Sequence, residues 1–291
     1  MTLRFGVSQF TTLPWGFERD VENYARLGVE AIEVCEEKLD EGQTAEQMAL
    51  VEERGLELSS VQPAIRTLFS SRTQPGPEDP QERTARFRRT IERLGRFARD
   101  VPFVANTGPP PNGNVQEVFD VAGREYRALA DFAGEHGARV ALEPLNPALM
   151  NVETAIWTLE QAMEIVAAVD RENFGVCVDL WNVWQNPDVV EEIRACGERI
   201  FVVHVADWRT PRSFEDRRVV GRGEIPLPEL LRALHESGYR GAYTLEIFSG
   251  DVPDSLWDAD LSGVIEQSRA GLEEAWRDTV GPARDADEVQ T

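Results

Sequence analysis

Four residues stand out by chemical type and by position: Glu143 in Ala-Leu-Glu-Pro, Asp179 in Val-Cys-Val-Asp, His204 in Val-Val-His-Val and Glu246 in Thr-Leu-Glu-Ile. Each closes an apolar run, where an isolated charge is costly to bury. A shared cation removes that cost. Three carboxylates and one imidazole form a hard, oxygen-rich donor set suited to a single divalent ion, with manganese expected and magnesium, cobalt or zinc as alternatives. Each residue also has a plainer reading: a strand-end glutamate can pair with a loop, Asp179 can cap the next helix, and His204 can be a satisfied core histidine. Their occurrence together on four successive strand ends favours the metal.

The elements that must position them are short β-rich runs alternating with longer amphipathic ones. Strands are expected at Arg4–Gln9, Ala31–Glu36, Glu57–Gln62, Phe103–Thr107, Arg139–Glu143, Phe174–Asp179, Ile200–Val205 and Ala242–Phe248. Helical patterns fall between them at Phe17–Leu27, Thr44–Arg54, Asp79–Arg99, Val115–His136, Val152–Val169 and Leu227–Ser237, with Leu261–Asp278 after the last strand. Such alternation implies a parallel sheet covered by helices, and eight units in one chain of this length imply a single (β/α)8 TIM barrel. Chemistry in that fold sits at the C-terminal strand ends, where the four residues lie. Gly28, Gly55, Gly137 and Gly238 stand where helices hand over to strands. The barrel is expected over residues 1–280. Residues 281–291, acidic and without a core pattern, are expected to form a disordered tail. Neither a GxGxxG nor a Walker loop occurs.

Composition narrows the function further. The formal net charge is −22, from 52 acidic and 30 basic side chains, a field opposed to nucleic acid and to anionic membrane surfaces. Lys38 is the only lysine. It falls after the second strand, where it is expected to be solvated, and Schiff-base chemistry is therefore disfavoured. Cys35, Cys177 and Cys196 show no metal-knuckle or CxxC spacing and read as reduced core residues. His136 and His235, near helix C-termini, are assigned no catalytic role. No stretch approaches the length of a membrane helix, and the N-terminal run reads as a strand without a leader pattern, so a cytoplasmic location is expected.

The segments Ala-Leu-Glu-Pro-Leu-Asn, Val-Cys-Val-Asp-Leu-Trp-Asn, Phe-Val-Val-His-Val-Ala-Asp-Trp-Arg and Gly-Tyr-Arg-Gly-Ala-Tyr-Thr-Leu-Glu-Ile-Phe resemble the sugar phosphate isomerase/epimerase superfamily, the xylose-isomerase-like TIM barrels. That group includes ketohexose 3-epimerases, inosose-processing enzymes, hydroxypyruvate isomerase and, more distantly, an AP endonuclease. The resemblance is tightest from Arg139 to Phe248. It implies that Glu143 and Glu246 are both metal ligands and the proton-shuttling pair, and that Asp179 and His204 are ligands only. A metal chelating a carbonyl and the adjacent hydroxyl would stabilise the enediolate left when the carbon between loses its proton.

Departures from the family pattern qualify this. Many relatives carry a substrate-touching histidine three residues after the strand-six aspartate, where this chain has Asn182. Arg209 is the nearest match to an arginine that relatives place after the strand-seven histidine. Asn146 fits the epimerase and hydroxypyruvate-isomerase pattern. Gln62 and Glu36 are further candidates for binding substrate, with Gln9, Asn106 and Thr107 weaker. Trp181 and Trp208, like Trp15, could stack on a sugar ring or simply pack the loops.

The expected activity is a metal-dependent isomerisation or epimerisation of a keto-sugar, inosose or related polyol-derived substrate. A lyase or dehydratase acting by β-elimination on the same site is the alternative, and a non-catalytic sugar-binding subunit a weaker one. An AP endonuclease reading is weaker still, because such sites gather many histidines and this chain has three. With no Lys/Arg cluster at the mouth beyond Arg209 and the loop from Arg212 to Arg222, an unphosphorylated substrate is favoured. A homo-oligomer is compatible with such a barrel.

Overall fold

The computed structural model describes residues 3–280; the acidic segment 281–291 lies outside the described residues. The chain forms a closed parallel barrel with strands in sequence order. These are β1 (Phe5–Ser8), β2 (Ala31–Cys35), β3 (Glu57–Gln62), β4 (Pro102–Ala105), β5 (Arg139–Leu142), β6 (Phe174–Asp179), β7 (Ile200–Val205) and β8 (Tyr243–Leu245). Closure is made by β1 against β8, with Phe5 opposite Tyr243 and Val7 opposite Leu245. Helices α1 (Phe17–Arg26), α2 (Thr44–Glu53), α3 (Pro80–Leu94), α4 (Val115–Glu135) and α5 (Leu159–Val169) cover the first half. The short α6 (Leu180–Val183) and α7 (Val189–Cys196) follow β6, and α8 (Leu227–Glu236) and α9 (Leu261–Val280) complete the ring.

Several helix boundaries differ from the sequence expectation, each for a local reason. The turn before α5 is irregular from Val152 to Trp157, and the helix starts only where Thr158 and Gln161 form a reciprocal capping box. At the other end of α3 the helix stops at Leu94, with Gly95 as its cap. The four glycines expected at helix exits all adopt positive φ, between 69° and 93°, a conformation that glycine alone reaches without steric cost.

One large apolar core lies between the strands and the helices. A second, small cluster of Val104, Ala141, Cys177 and Val202 fills the barrel interior. Side chains alternate along a strand with a period of two. The next inward residues toward the C-terminal mouth are therefore Asn106, Glu143, Asp179 and His204. A thin apolar plug thus floors a polar layer, and the alternation that buries the plug also delivers the site.

Candidate active site

Glu143, Asp179, His204 and Glu246 are all buried, and one donor atom from each lies within 4.8 Å of the others. The strand register explains the grouping: Asp179 pairs with His204, and His204 with Thr244, two residues before Glu246. Asp179 caps the following helix, as its sequence position allowed, and also lies in the cluster. Its Oδ1 caps α6 by accepting from Trp181 N at 2.8 Å, while its Oδ2 accepts from Asn182 Nδ2 at 3.1 Å. Asn182 also donates to Glu143 Oε1 at 3.1 Å, so one amide spans two of the carboxylates. Asn106 donates to Glu143 Oε2 at 3.0 Å, and Gln62 to Glu246 Oε1 at 3.4 Å.

The orientation of His204 comes from a residue the sequence reading passed over. Its Nε2 lies 2.8 Å from Glu33 Oε2, which also accepts from Ser60 Oγ at 2.6 Å. Nδ1 is left facing Glu246 Oε2 at 3.5 Å and Glu143 Oε1 at 3.7 Å. A carboxylate behind a histidine fixes its ring and raises its basicity as a ligand. The signal for Glu33 was present: it is a lone charge inside the apolar strand Ala-Ile-Glu-Val-Cys. Burial opposes ionisation of Glu33, and the facing His204 outweighs it, leaving this carboxyl below its ordinary value. Glu33→Gln is expected to weaken metal affinity about 10- to 100-fold, measured by competition with a chromogenic chelator. Unchanged affinity would remove Glu33 from this supporting role.

Arg217 is the second residue the sequence did not single out. Its guanidinium contacts Asp179 Oδ2 at 2.7 Å and Glu246 Oε2 at 2.9 Å. It is held between Trp181 and Phe248, its carbon 5.0 Å from each ring centroid. Burial pushes Glu246 up to about 8, although His204 and Arg217 pull the other way.

The donor set fits a divalent ion. Glu33, Glu143, Asp179 and Glu246 are four buried carboxyls around one imidazole and one guanidinium, an excess of negative groups that burial makes costly without further positive charge. The four clustered residues could hold the ion, with Glu33 behind His204.

Glu143, Glu246 and Arg217 line a cavity of about 100 Å³ that opens to solvent and is walled also by Phe10, Gln62, Arg66, Asn106, Trp181 and Asn182, whereas Asp179 and His204 are fully buried and lie off its wall. Glu36, Arg209, Trp208 and Asn146 lie off this wall. Glu36 accepts from Ala64 N at 2.9 Å and Thr90 Oγ1 at 2.6 Å, tying β2 to α3. Arg209 pairs with Asp254 at 3.0 Å, because the aspartate-rich neighbouring loop draws it outward. Trp208 packs edge-on against Trp184, centroids 5.1 Å apart. Asn146 is buried beneath the wall, its amide spent on Ala148 N and Trp181 O. Trp181 is the one candidate tryptophan on the cavity wall. Lys38 is not solvated: its side chain is 8% exposed and lies 2.7 Å from Asp20 Oδ2.

Fold and site together define a closed (β/α)8 barrel with a carboxylate–imidazole cluster at its C-terminal mouth. The chain belongs to the xylose isomerase-like TIM barrel family, whose model matches residues 21–274. It is 34% identical over 125 residues to inosose isomerase of Bacillus subtilis, an alignment covering 41% of this chain and 44% of that protein. It is 27% identical over 143 residues to L-ribulose 3-epimerase of a Methylomonas species, covering 46% of each. The matches thus span about half the length of these relatives. A solved structure described as IOLI protein with a binding zinc atom shares the fold, with a TM-score of 0.79 at 22% identity, covering 95% of this chain and 99% of that one. No helix among the described residues is long and apolar enough to cross a membrane.

Proposed function

We propose that this protein is a divalent-metal-dependent isomerase or epimerase of a keto-sugar, inosose or related polyol-derived substrate. The observation that carries the reading is the placement of Glu143 and Glu246. Two carboxylates from the ends of β5 and β8 converge with the buried Asp179 and His204, and the same two carboxylates line a solvent-open cavity. The names of the inosose isomerase and epimerase relatives support the same class.

Glu143, Asp179, His204 and Glu246 would hold one ion, with manganese favoured. When bound, the ion supplies Lewis-acid polarisation of a carbonyl and stabilises charge on the neighbouring oxygens. The chain's own residues do the rest. Glu246 and Glu143 take a proton from substrate carbon and return it: on opposite faces for epimerisation, or at a neighbouring atom for isomerisation. Gln62 and Arg217 fix the Glu246 carboxylate, and Asn106 and Asn182 fix Glu143, so neither base must reorganise in the transition state. Trp181 stacks on Arg217 and forms part of the cavity wall.

The test is wash-in of solvent deuterium at the carbon beside the carbonyl of D-fructose, a keto-uronate or an inosose, with manganese present and after chelation. Metal-dependent exchange into at least one substrate, with an isomer or epimer as product, is the expected result. Exchange that ignores chelation, or a dehydrated product only, would overturn the reading.

A further inference from the structure

The same cavity carries an unspent cation at its rim. Arg66 lines it together with Arg72, Phe10 and Phe214. The Arg66 guanidinium carbon lies 5.2 Å above the Phe10 ring, and Arg72 sits 4.5 Å above Phe214. Phe10 in turn packs on Phe248 with centroids 4.9 Å apart, and Phe248 on Arg217 at 5.0 Å. Two aromatic rings therefore separate Arg66 from the arginine that contacts the carboxylate cluster.

The two rim arginines differ in what they face. Arg72 has Glu153 at 3.4 Å, and that carboxylate is also bound by Thr73 N at 3.0 Å and Thr73 Oγ1 at 2.7 Å. Arg66 has no ion pair and no side-chain hydrogen bond among the described residues, although it is half-buried. Arg72 and Arg217 on the same cavity wall each face a carboxylate, so Arg66 is the guanidinium of that wall left without one among the described residues. Its backbone is fixed, since Arg66 N donates to Gln74 Oε1 at 3.1 Å and Arg66 O accepts from Asn106 N at 2.8 Å. The stem is anchored and the ring of Phe10 supports the guanidinium, so its five N–H donors are presented in a planar fork. Glu215 lies on the same wall, but no ion pair joins it to either rim arginine among the described residues.

We infer that the substrate bears an anionic group, a carboxylate or a phosphate, at the end remote from the carboxylate cluster, and that Arg66, with Arg72 beside it, binds that group. This inference rests on the reading of the cavity as the substrate site. It departs from the expectation of an unphosphorylated ligand where the anion is a phosphate: the arginines at the rim come from the β3–α3 loop, whereas in the segment after β7 Arg209 and Arg212 pair with Asp254 and Arg217 with Asp179 and Glu246.

The test is calorimetric binding of D-fructose, D-fructuronate and D-fructose 6-phosphate to the manganese-loaded full chain, wild type beside Arg66→Gln and Arg66→Lys. A charge-assisted contact predicts binding of one anionic ligand tighter than D-fructose by about 10- to 100-fold. That ratio falls to within about threefold in Arg66→Gln and recovers in part in Arg66→Lys. Which anion gains identifies carboxylate or phosphate. Equal binding of all three by wild type overturns the inference, as does a preference that survives Arg66→Gln. Metal content measured on each variant separates loss of fold from loss of contact. Absence of proton exchange with every ligand would sink the proposed reaction while leaving the binding ratio readable.

Discussion

Glu246→Gln is expected to reduce metal-dependent proton exchange by about 10²- to 10⁴-fold, the range of a lost general acid–base group, and Glu143→Gln by a comparable factor. The substitution is nearly isosteric. The amide oxygen can still accept from Gln62, which lies 3.4 Å from Glu246 Oε1. What disappears is the negative charge and the ability to carry a proton. Arg217, which contacts Glu246 at 2.9 Å, keeps Asp179 at 2.7 Å as its partner, so the wall should stay in place. Because each glutamate would also be a ligand, metal content must be measured on the same samples by mass spectrometry. Exchange that stays near wild type at equal metal loading would remove that glutamate from the proton path. Loss of exchange only in proportion to lost metal would assign it a ligand role alone.

Lys38→Met is expected to destabilise the fold by about 3–5 kcal/mol near neutral pH, the usual cost of stripping one partner from a buried ion pair. Asp20 is fully buried and accepts from Lys38 Nζ at 2.7 Å, Thr12 Oγ1 at 2.7 Å and Gln9 Nε2 at 2.8 Å. Burial still pushes its pKa up to about 6 against the pull of Lys38. The folded carboxyl therefore binds its proton more tightly than the unfolded one. Stability falls as pH rises from the ordinary aspartate value through the folded one, and is level above it. Removing the ammonium moves the folded value higher and extends that fall toward alkaline pH. The deficit of Lys38→Met should accordingly widen from about pH 5 to about pH 8. Urea unfolding of wild type, Lys38→Met, Asp20→Asn and the double variant at both pH values measures this. A deficit independent of pH, or a double variant no more stable than Lys38→Met, would show that the lysine stem and not its charge is what matters.

The contrast between Lys38 and Glu246 shows what a sequence discloses. Strand identity was legible because a parallel barrel buries both faces of its strands: β6 and β7 lie where the apolar runs place them. The four clustered residues followed, because a polar side chain ending such a run has few other places to go. The loops were not legible in the same way. Arg217 and Arg66 sit in polar segments with no periodicity, and nothing local says that one turns inward to Asp179 or that the other rests on Phe10. Arg209 shows the converse: its offset from His204 looked suitable, yet Asp254 captures it. Lys38 was misplaced for a related reason. A single charge in a polar turn reads as solvated unless its partner, 18 residues earlier, is known to be buried beneath it. The start of α5 was an avoidable error, since Thr-x-x-Gln at 158–161 is itself a helix-start signature.

The contact between Glu33 and His204 joins residues 171 positions apart, one on β2 and the other on β7. A nascent chain that has emerged only through β6 holds Glu33, Glu143 and Asp179 but lacks both His204 and Glu246. Until β8 docks on β1, the ring that brings these side chains to one point is incomplete. On the proposed metal reading, ion capture would thus be a late event in biogenesis, and uptake of the ion would report completion of the barrel.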